Sequence, residues 1–227
     1  MKMKIALSAA ALFAAQAASA TTLNLTYVEA ANGFAAVDID AAPISVAGGQ
    51  TSVPAGGFVM NDATGGFGDF LAWCLDLGAF LGTSGSHEYT ATATPFSNSF
   101  GLDSAGIARV SSIFNANFGA AVTATTDASA AFQVALWEVV YDDDMNIGTG
   151  VFQASSSGNV ETLAAGYLAA AANYAGPNLF DVTYLESTAA DRAQNIVTVS
   201  AVPLPAAGLM LGFAVAGLGA ARRFKKS

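Results

Sequence analysis

The hydropathy pattern of this chain predicts an α+β protein. A β-sheet or sandwich-like scaffold holds an inserted helical region of about three helices, and a C-terminal transmembrane helix follows. Three observations carry that expectation. Up to about residue 94 the chain runs in short β-rich segments separated by glycine pairs. From about 103 to 176 apolar residues recur at helical spacing. Alternation then returns, and the chain closes on an uncharged apolar stretch with a basic end. Strands, then helices, then strands fit one α+β body.

Thr22 to Val28 alternates around Leu23, Leu25 and Tyr27 and reads as the first strand. Phe34 to Ile39, Ile44 to Val46 and Gly57 to Met60 are further short strands, with Gly48-Gly49, Gly56-Gly57 and Gly65-Gly66 as turns. Phe67 to Leu77 is the longest apolar run of this half. One face carries Leu71, Trp73, Leu75 and Leu77, the other Phe70, Ala72, Cys74 and Asp76. A strand apolar on both faces is covered on both. Glu88 to Thr94 is the next strand.

Asp103 or Ser104 caps a first helix with Ile107, Val110, Ile113 and Phe114 on one stripe. Asp127 or Ser129 caps a second, which runs to about Tyr141. Asn159 precedes a third, whose apolar face is Val160, Leu163, Tyr167, Leu168 and Ala171, and Gly176-Pro177 ends it. Leu179 to Leu185 and Asn195 to Ser200 alternate like closing strands.

The two ends speak about location. Met1-Lys2-Met3-Lys4, an apolar run from Ile5 to Ala18 and the closing Ala18-Ser19-Ala20 describe a secretory signal peptide over residues 1–20. Residues 21–200 form the exported body, and 201–227 a terminal signal. In that signal Val202, Pro203, Leu204, Pro205 and Ala206 lead into an apolar stretch from Ala207 to Ala221, followed by Arg222, Arg223, Lys225 and Lys226. A spanning helix needs about 20 residues. The uncharged residues before the motif complete that length, and the basic tail stays cytoplasmic by the positive-inside rule.

Residues 202–227 resemble the C-terminal sorting signal of the PEP-CTERM class, in its Val-Pro-Leu-Pro-Ala variant. The resemblance implies an exosortase-type processing enzyme as partner, alongside signal peptidase and the secretion machinery. It also implies a transient inner-membrane anchor and a final place at the cell surface or outside the cell. A plain tail anchor is the other reading of the same pattern.

Of the eight Lys and Arg, only Arg109 and Arg192 lie in the body, against all 17 Asp and Glu, so the body carries a net −15 and no lysine. Phosphate binding needs a basic footprint, so nucleic acid is not an expected partner. The acidity draws cations and basic partners instead.

Cys74 is the only cysteine, so an exported chain cannot close an internal disulfide with it. The thiol is buried and inert, paired between chains, reactive, or bonded to something else. On the second helix Gln133, Leu136, Trp137 and Val140 share one stripe, which puts an amide on an apolar face. A buried amide needs a partner. A thiol acylated by Gln133 would supply one, and Trp73, Phe132 and Trp137 would wall off water from it.

Trp73-Cys74-Leu75 and the later Phe132-Gln133-Val134-Ala135-Leu136-Trp137 resemble the two motifs of the thioester domains of bacterial surface adhesins. The first has Trp where Tyr or Phe is more usual. Ile107 to Asn115 looks like the helix which that family carries between the motifs, so the resemblance spans about Phe67 to Tyr141. It implies a Cys74–Gln133 bond in a pocket of Trp73, Phe132, Leu136 and Trp137, which captures nucleophiles covalently, as on an amine-bearing surface or exopolysaccharide. The alternative is a passive structural component of a biofilm or exopolysaccharide layer. In neither case is the chain an enzyme, and no catalytic residue or cofactor is expected.

His87, the only histidine, reads as a strand-edge surface residue, with activation of an incoming amine as the other role weighed. Asp142-Asp143-Asp144 reads as a solvated turn rather than a calcium loop, so no metal site is expected. Glu138 adjoins Trp137 without an assignable role.

Overall fold

The structure is a computed structural model and describes residues 22–202 apart from 65, 93–94, 120–121 and 189–191. The signal peptide, the sorting motif from Pro203 onward, the apolar span and the basic tail lie outside the described residues. No helix among the described residues is long and apolar enough to cross a membrane.

The element order is β1 (Thr22–Ala30), β2 (Ala35–Ala41), β3 (Ser52–Ala55), β4 (Phe58–Asp62), β5 (Asp69–Cys74), β6 (Ser86–Thr92), α1 (Ser104–Asn117), α2 (Thr126–Tyr141), β7 (Gln153–Ser155), α3 (Val160–Ala172), β8 (Phe180–Ser187) and β9 (Ile196–Ala201). The α+β class and the three helices stand. The sandwich-like scaffold is corrected: six strands close into a barrel in the order β1-β4-β5-β9-β8-β6, and β3-β2-β7 form a separate small sheet. Alternation in sequence shows which face of a strand is buried, but not which strand is its neighbour. β1 pairs antiparallel with both β4 and β6, and β5 pairs with both β4 and β9. Closure therefore gives each of the six strands a neighbour on both sides.

Local differences have local causes. Ile44 to Val46 forms no strand; a short 3₁₀ turn at Ala47–Gly49 follows it, with Gly48 at φ +64°. β3 carries Pro54, which a central strand excludes, and it lies at the edge of its sheet. The three-residue β7 is too short to show a period. β5 stops at Cys74 rather than Leu77, although the Leu75 N–H still donates to Asn195 O at 3.0 Å.

α2 organises the interior. Every residue from Ala128 to Tyr141 is buried, as befits a helix apolar around its whole circumference. Its N-cap is Thr125, whose hydroxyl accepts the Ala128 N–H at 3.1 Å, not Asp127 or Ser129. The Ser129 hydroxyl instead accepts the Gly57 N–H at 2.8 Å, which ties α2 to the entry of β4. Gly57 has no room for a side chain: a Cβ would lie 2.9 Å from the Trp73 ring. Trp73 itself sits in a cluster of edge-on rings, 5.8 Å from Phe114, 5.4 Å from Phe118 and 5.2 Å from Phe132. That cluster locks α1 and α2 against β5, and it fixes where the next residue, Cys74, must lie.

Candidate functional site

Cys74 is the last residue of β5. On one side it pairs with Ile196 of β9. On the other side β4 pairs with β5 only as far as Ala72, so the main chain at Cys74 has no strand beside it there. Gln133 of α2 takes that place. Its Oε1 accepts the Cys74 N–H at 2.9 Å and its Nε2 donates to the Cys74 carbonyl at 2.5 Å. Both ends of the amide are thus used on the main chain. This answers why a glutamine sits inside an apolar helix: it satisfies two buried backbone groups that would otherwise be orphaned.

The sulfur meets a different amide. Cys74 Sγ lies 2.5 Å from Oε1 of Gln194, the second residue before β9. The pairing of Cys74 with Gln133 through the sulfur is therefore corrected in its geometry: Gln133 holds the backbone of Cys74, and Gln194 faces the thiol. In the sequence the alternation of the closing strand begins at Asn195, so Gln194 lies just outside it and carries no pattern of its own. The available signal was a glutamine heading a strand that returns beside the cysteine strand.

Gln194 is held along its length. Its N–H donates to Phe80 O at 3.0 Å, and its carbonyl accepts the Tyr89 hydroxyl at 3.0 Å. The preceding Ala193 N–H donates to the Ser187 hydroxyl at 3.1 Å. The following Asn195 donates from Nδ2 to Asp76 at 3.3 Å and accepts the Ser187 N–H at 3.1 Å. Asp76, two residues after Cys74 and buried, also pairs with Arg192 at 3.3 Å. The segment 192–195 is thereby fastened to the residues just after Cys74, by a charge pair and by neutral hydrogen bonds. Leu77 N–H completes the frame by donating to the Tyr141 hydroxyl of α2 at 2.8 Å.

Burial pushes the Cys74 thiol well above its usual range, and the nearby Asp76 carboxylate adds to the rise. Cys74 is therefore a neutral thiol wherever it is not bonded. Burial likewise raises the Tyr89 and Tyr141 hydroxyls, which stay protonated donors.

Cys74 and Gln194 open onto a cleft of about 230 Å³. Phe34, Leu77, Phe80 and Trp137 form much of its wall. Of the expected pocket residues only Trp137 lines this cleft. Trp73, Phe132 and Leu136 are buried in the core behind it, because the ring cluster at Trp73 faces α1 and α3 rather than the sulfur. The actual outer wall comes from segments around the small sheet and after β5.

His87 lies on β6 with Nε2 3.1 Å from Ser84 O, outside the cleft lining. Asp142 is more than a solvated turn. It accepts the N–H groups of Phe152 at 3.0 Å and Asp143 at 2.8 Å, and that of Val151 as well. Burial raises its carboxyl, but these backbone donors outweigh that and hold it below the usual range. Glu138, by contrast, is buried and its carboxyl is pushed up to about 8, first by desolvation and then by Asp144 and Asp142.

No protein-family model matches this chain, and no curated protein matches it. Among solved structures it is similar to the N-terminal domain of the Streptococcus pyogenes pilus tip adhesin Cpa. The identity is 13%, over 74% of this chain and 93% of that one, with a TM-score of 0.41. It is also similar to an N-terminal thioester domain of a surface protein from Clostridium perfringens, at 11% identity, 80% and 100% coverage and TM-score 0.42. A third is the Bacillus anthracis TIE protein, at 16% identity, 74% and 31% coverage and TM-score 0.36.

Proposed function

We propose that the chain is an exported surface or extracellular-matrix protein whose body carries an internal thioester between Cys74 and Gln194. One observation carries this reading: Sγ of Cys74 and Oε1 of Gln194 are 2.5 Å apart. That is far inside the contact distance of a thiol and an amide. It is the spacing of two atoms that share one carbon, as sulfur and oxygen do in a thioester.

The chemistry balances without a cofactor. The Cys74 sulfur attacks the side-chain carbonyl carbon of Gln194, the C–N bond breaks, and ammonia leaves with the thiol proton. An incoming primary amine then attacks the same carbon and forms an amide, and the sulfur leaves to recover a proton as the free thiol. An alcohol would give an ester by the same route. Each molecule reacts once, so this is covalent capture rather than turnover.

The surroundings support that use. The apolar cleft wall keeps bulk water from the bond. The body has no lysine of its own to intercept it. Its net −15 draws amine-bearing, cationic partners. The two ends of the sequence route the body outward, through signal peptidase and an exosortase-type enzyme, with a transient anchor in the inner membrane. An epitope at the C-terminus should be absent from the mature extracellular protein; a tag retained there would overturn the processing step.

The test of capture is methylamine. Incubation should place methylamine on Gln194 and expose one titratable thiol at Cys74, and Cys74→Ala should abolish the labelling. If no labelling occurs and Cys74 reacts as a free thiol in unfolded protein, the body is a passive component of its layer.

A further inference from the structure

The end of α2 carries an oxygen with nothing to bind. Glu138 is fully buried (0% exposed), one helical turn before Asp142. Its Oε1 accepts the Asn146 N–H at 2.9 Å, while its Oε2 is buried without any hydrogen-bond partner. A buried, unsatisfied carboxylate oxygen is costly, and such atoms are rare in folded proteins.

That oxygen belongs to a carboxyl group aimed at two others. Ligand oxygens from Glu138, Asp142 and Asp144 all lie within 4.8 Å of one another. Among the described residues the one ion pair is Arg192–Asp76, so no salt bridge joins a cationic side chain to this trio. Asp144 Oδ1 and Oδ2 each accept one hydrogen bond and keep a second lone pair, whereas Asp142 Oδ2 already accepts the Val151 and Phe152 N–H groups; the hydrogen bonds that shape the loop therefore leave capacity on Asp144 and on Glu138 Oε2. Asp142 is half-buried and Asp144 exposed, so the group is open on one side.

We propose that Glu138, Asp142 and Asp144 form a binding site for a hard divalent cation of the calcium type. The donor set is carboxylate oxygen with no histidine or thiol, which selects calcium over zinc or copper. A cation would satisfy the orphan Oε2 and neutralise three converging negative charges together, whereas a single shared proton satisfies one oxygen and removes one charge. The remaining coordination positions fall to loop carbonyls or water. Binding would clamp the end of α2, the helix that carries Gln133 and Trp137, to the loop that leads into β7. This inference stands apart from the thioester and does not depend on it.

The test is calorimetric titration of the EDTA-treated full chain with calcium chloride alone. One saturable site is expected, with Kd on the order of 10⁻⁴ M, as in extracellular calcium modules. Glu138→Gln keeps the shape of the side chain and should weaken binding at least ~10-fold; Asp144→Asn, at an exposed position, should do the same. Terbium bound at the site should luminesce through the aromatic rings of α2 and be displaced by calcium. Should Glu138→Gln fail to fold, Asp144→Asn carries the comparison, since no buried group changes. The absence of saturable binding by the native chain would overturn the proposal. So would undiminished binding by a folded variant, because the cation would then be held by general acidity.

Discussion

Gln133 and Gln194 are chemically identical side chains that meet the same cysteine at different atoms. Gln133 spends its carbonyl and its amine on the main chain of Cys74, 2.9 and 2.5 Å away. Gln194 offers its carbonyl to the sulfur. The two residues should therefore fail differently. Gln133→Ala orphans a buried N–H and a buried C=O, each costing about 1–3 kcal/mol. We expect urea denaturation to show a loss of about 2–6 kcal/mol, while the molecules that remain folded keep the Cys74–Gln194 linkage. Gln194→Ala should leave both main-chain groups of Cys74 paired but abolish the linkage outright, and with it the constraint that a long closed loop places on the unfolded chain. The position of the cysteine and the presence of an inward glutamine were legible in the residues themselves. The choice between glutamines was not, because it depends on β5 ending two residues past its pairing with β4, and strand ends are fixed by neighbours remote in sequence.

At the scale of elements, α2 shows how a helix was legible while its caps and its role were not. Its apolar stripe correctly marked Gln133 and Trp137 as inward, but residues on the opposite side are equally buried because β2, β3, α1 and α3 pack around it. Thr125, not Asp127 or Ser129, supplies the cap. Thr125→Ala should cost about 1 kcal/mol, the usual value of an N-cap, and Asp127→Ala less. Ser129→Ala should cost more than either, about 1–3 kcal/mol, since it leaves the buried Gly57 N–H unpaired. Thermal melts of the three variants rank these effects, and an Asp127 variant that melted lowest would contradict the assignment. β3 and β7 escaped notice for a related reason. A four-residue strand with a proline and a three-residue strand carry no readable period, and only their pairing to β2 makes them strands.

At the scale of the molecule, barrel closure brings the last strand beside the fifth and so places residue 194 against residue 74. No local pattern encodes that contact. The same compactness buries Glu138, whose folded pKa of about 8 lies above its ordinary value of 4.5. The folded state therefore binds more protons than the unfolded state between those two values. By linkage, the stability of the metal-free protein falls as pH rises from about 4.5 to about 8, and this contribution is flat outside that window. Melting temperatures in EDTA across that range, taken as the difference between the native chain and Glu138→Gln, should show the decline. A difference independent of pH would contradict the raised pKa.

The most direct measurement on the central claim is the mass of the purified body, unfolded under mildly acidic, nucleophile-free conditions, followed by peptide mapping. The account predicts a mass lower than the sequence value by one ammonia, and a cross-linked pair of peptides joining Cys74 to Gln194. A full sequence mass with a free thiol at Cys74, or a cross-link that maps to Gln133, would contradict it.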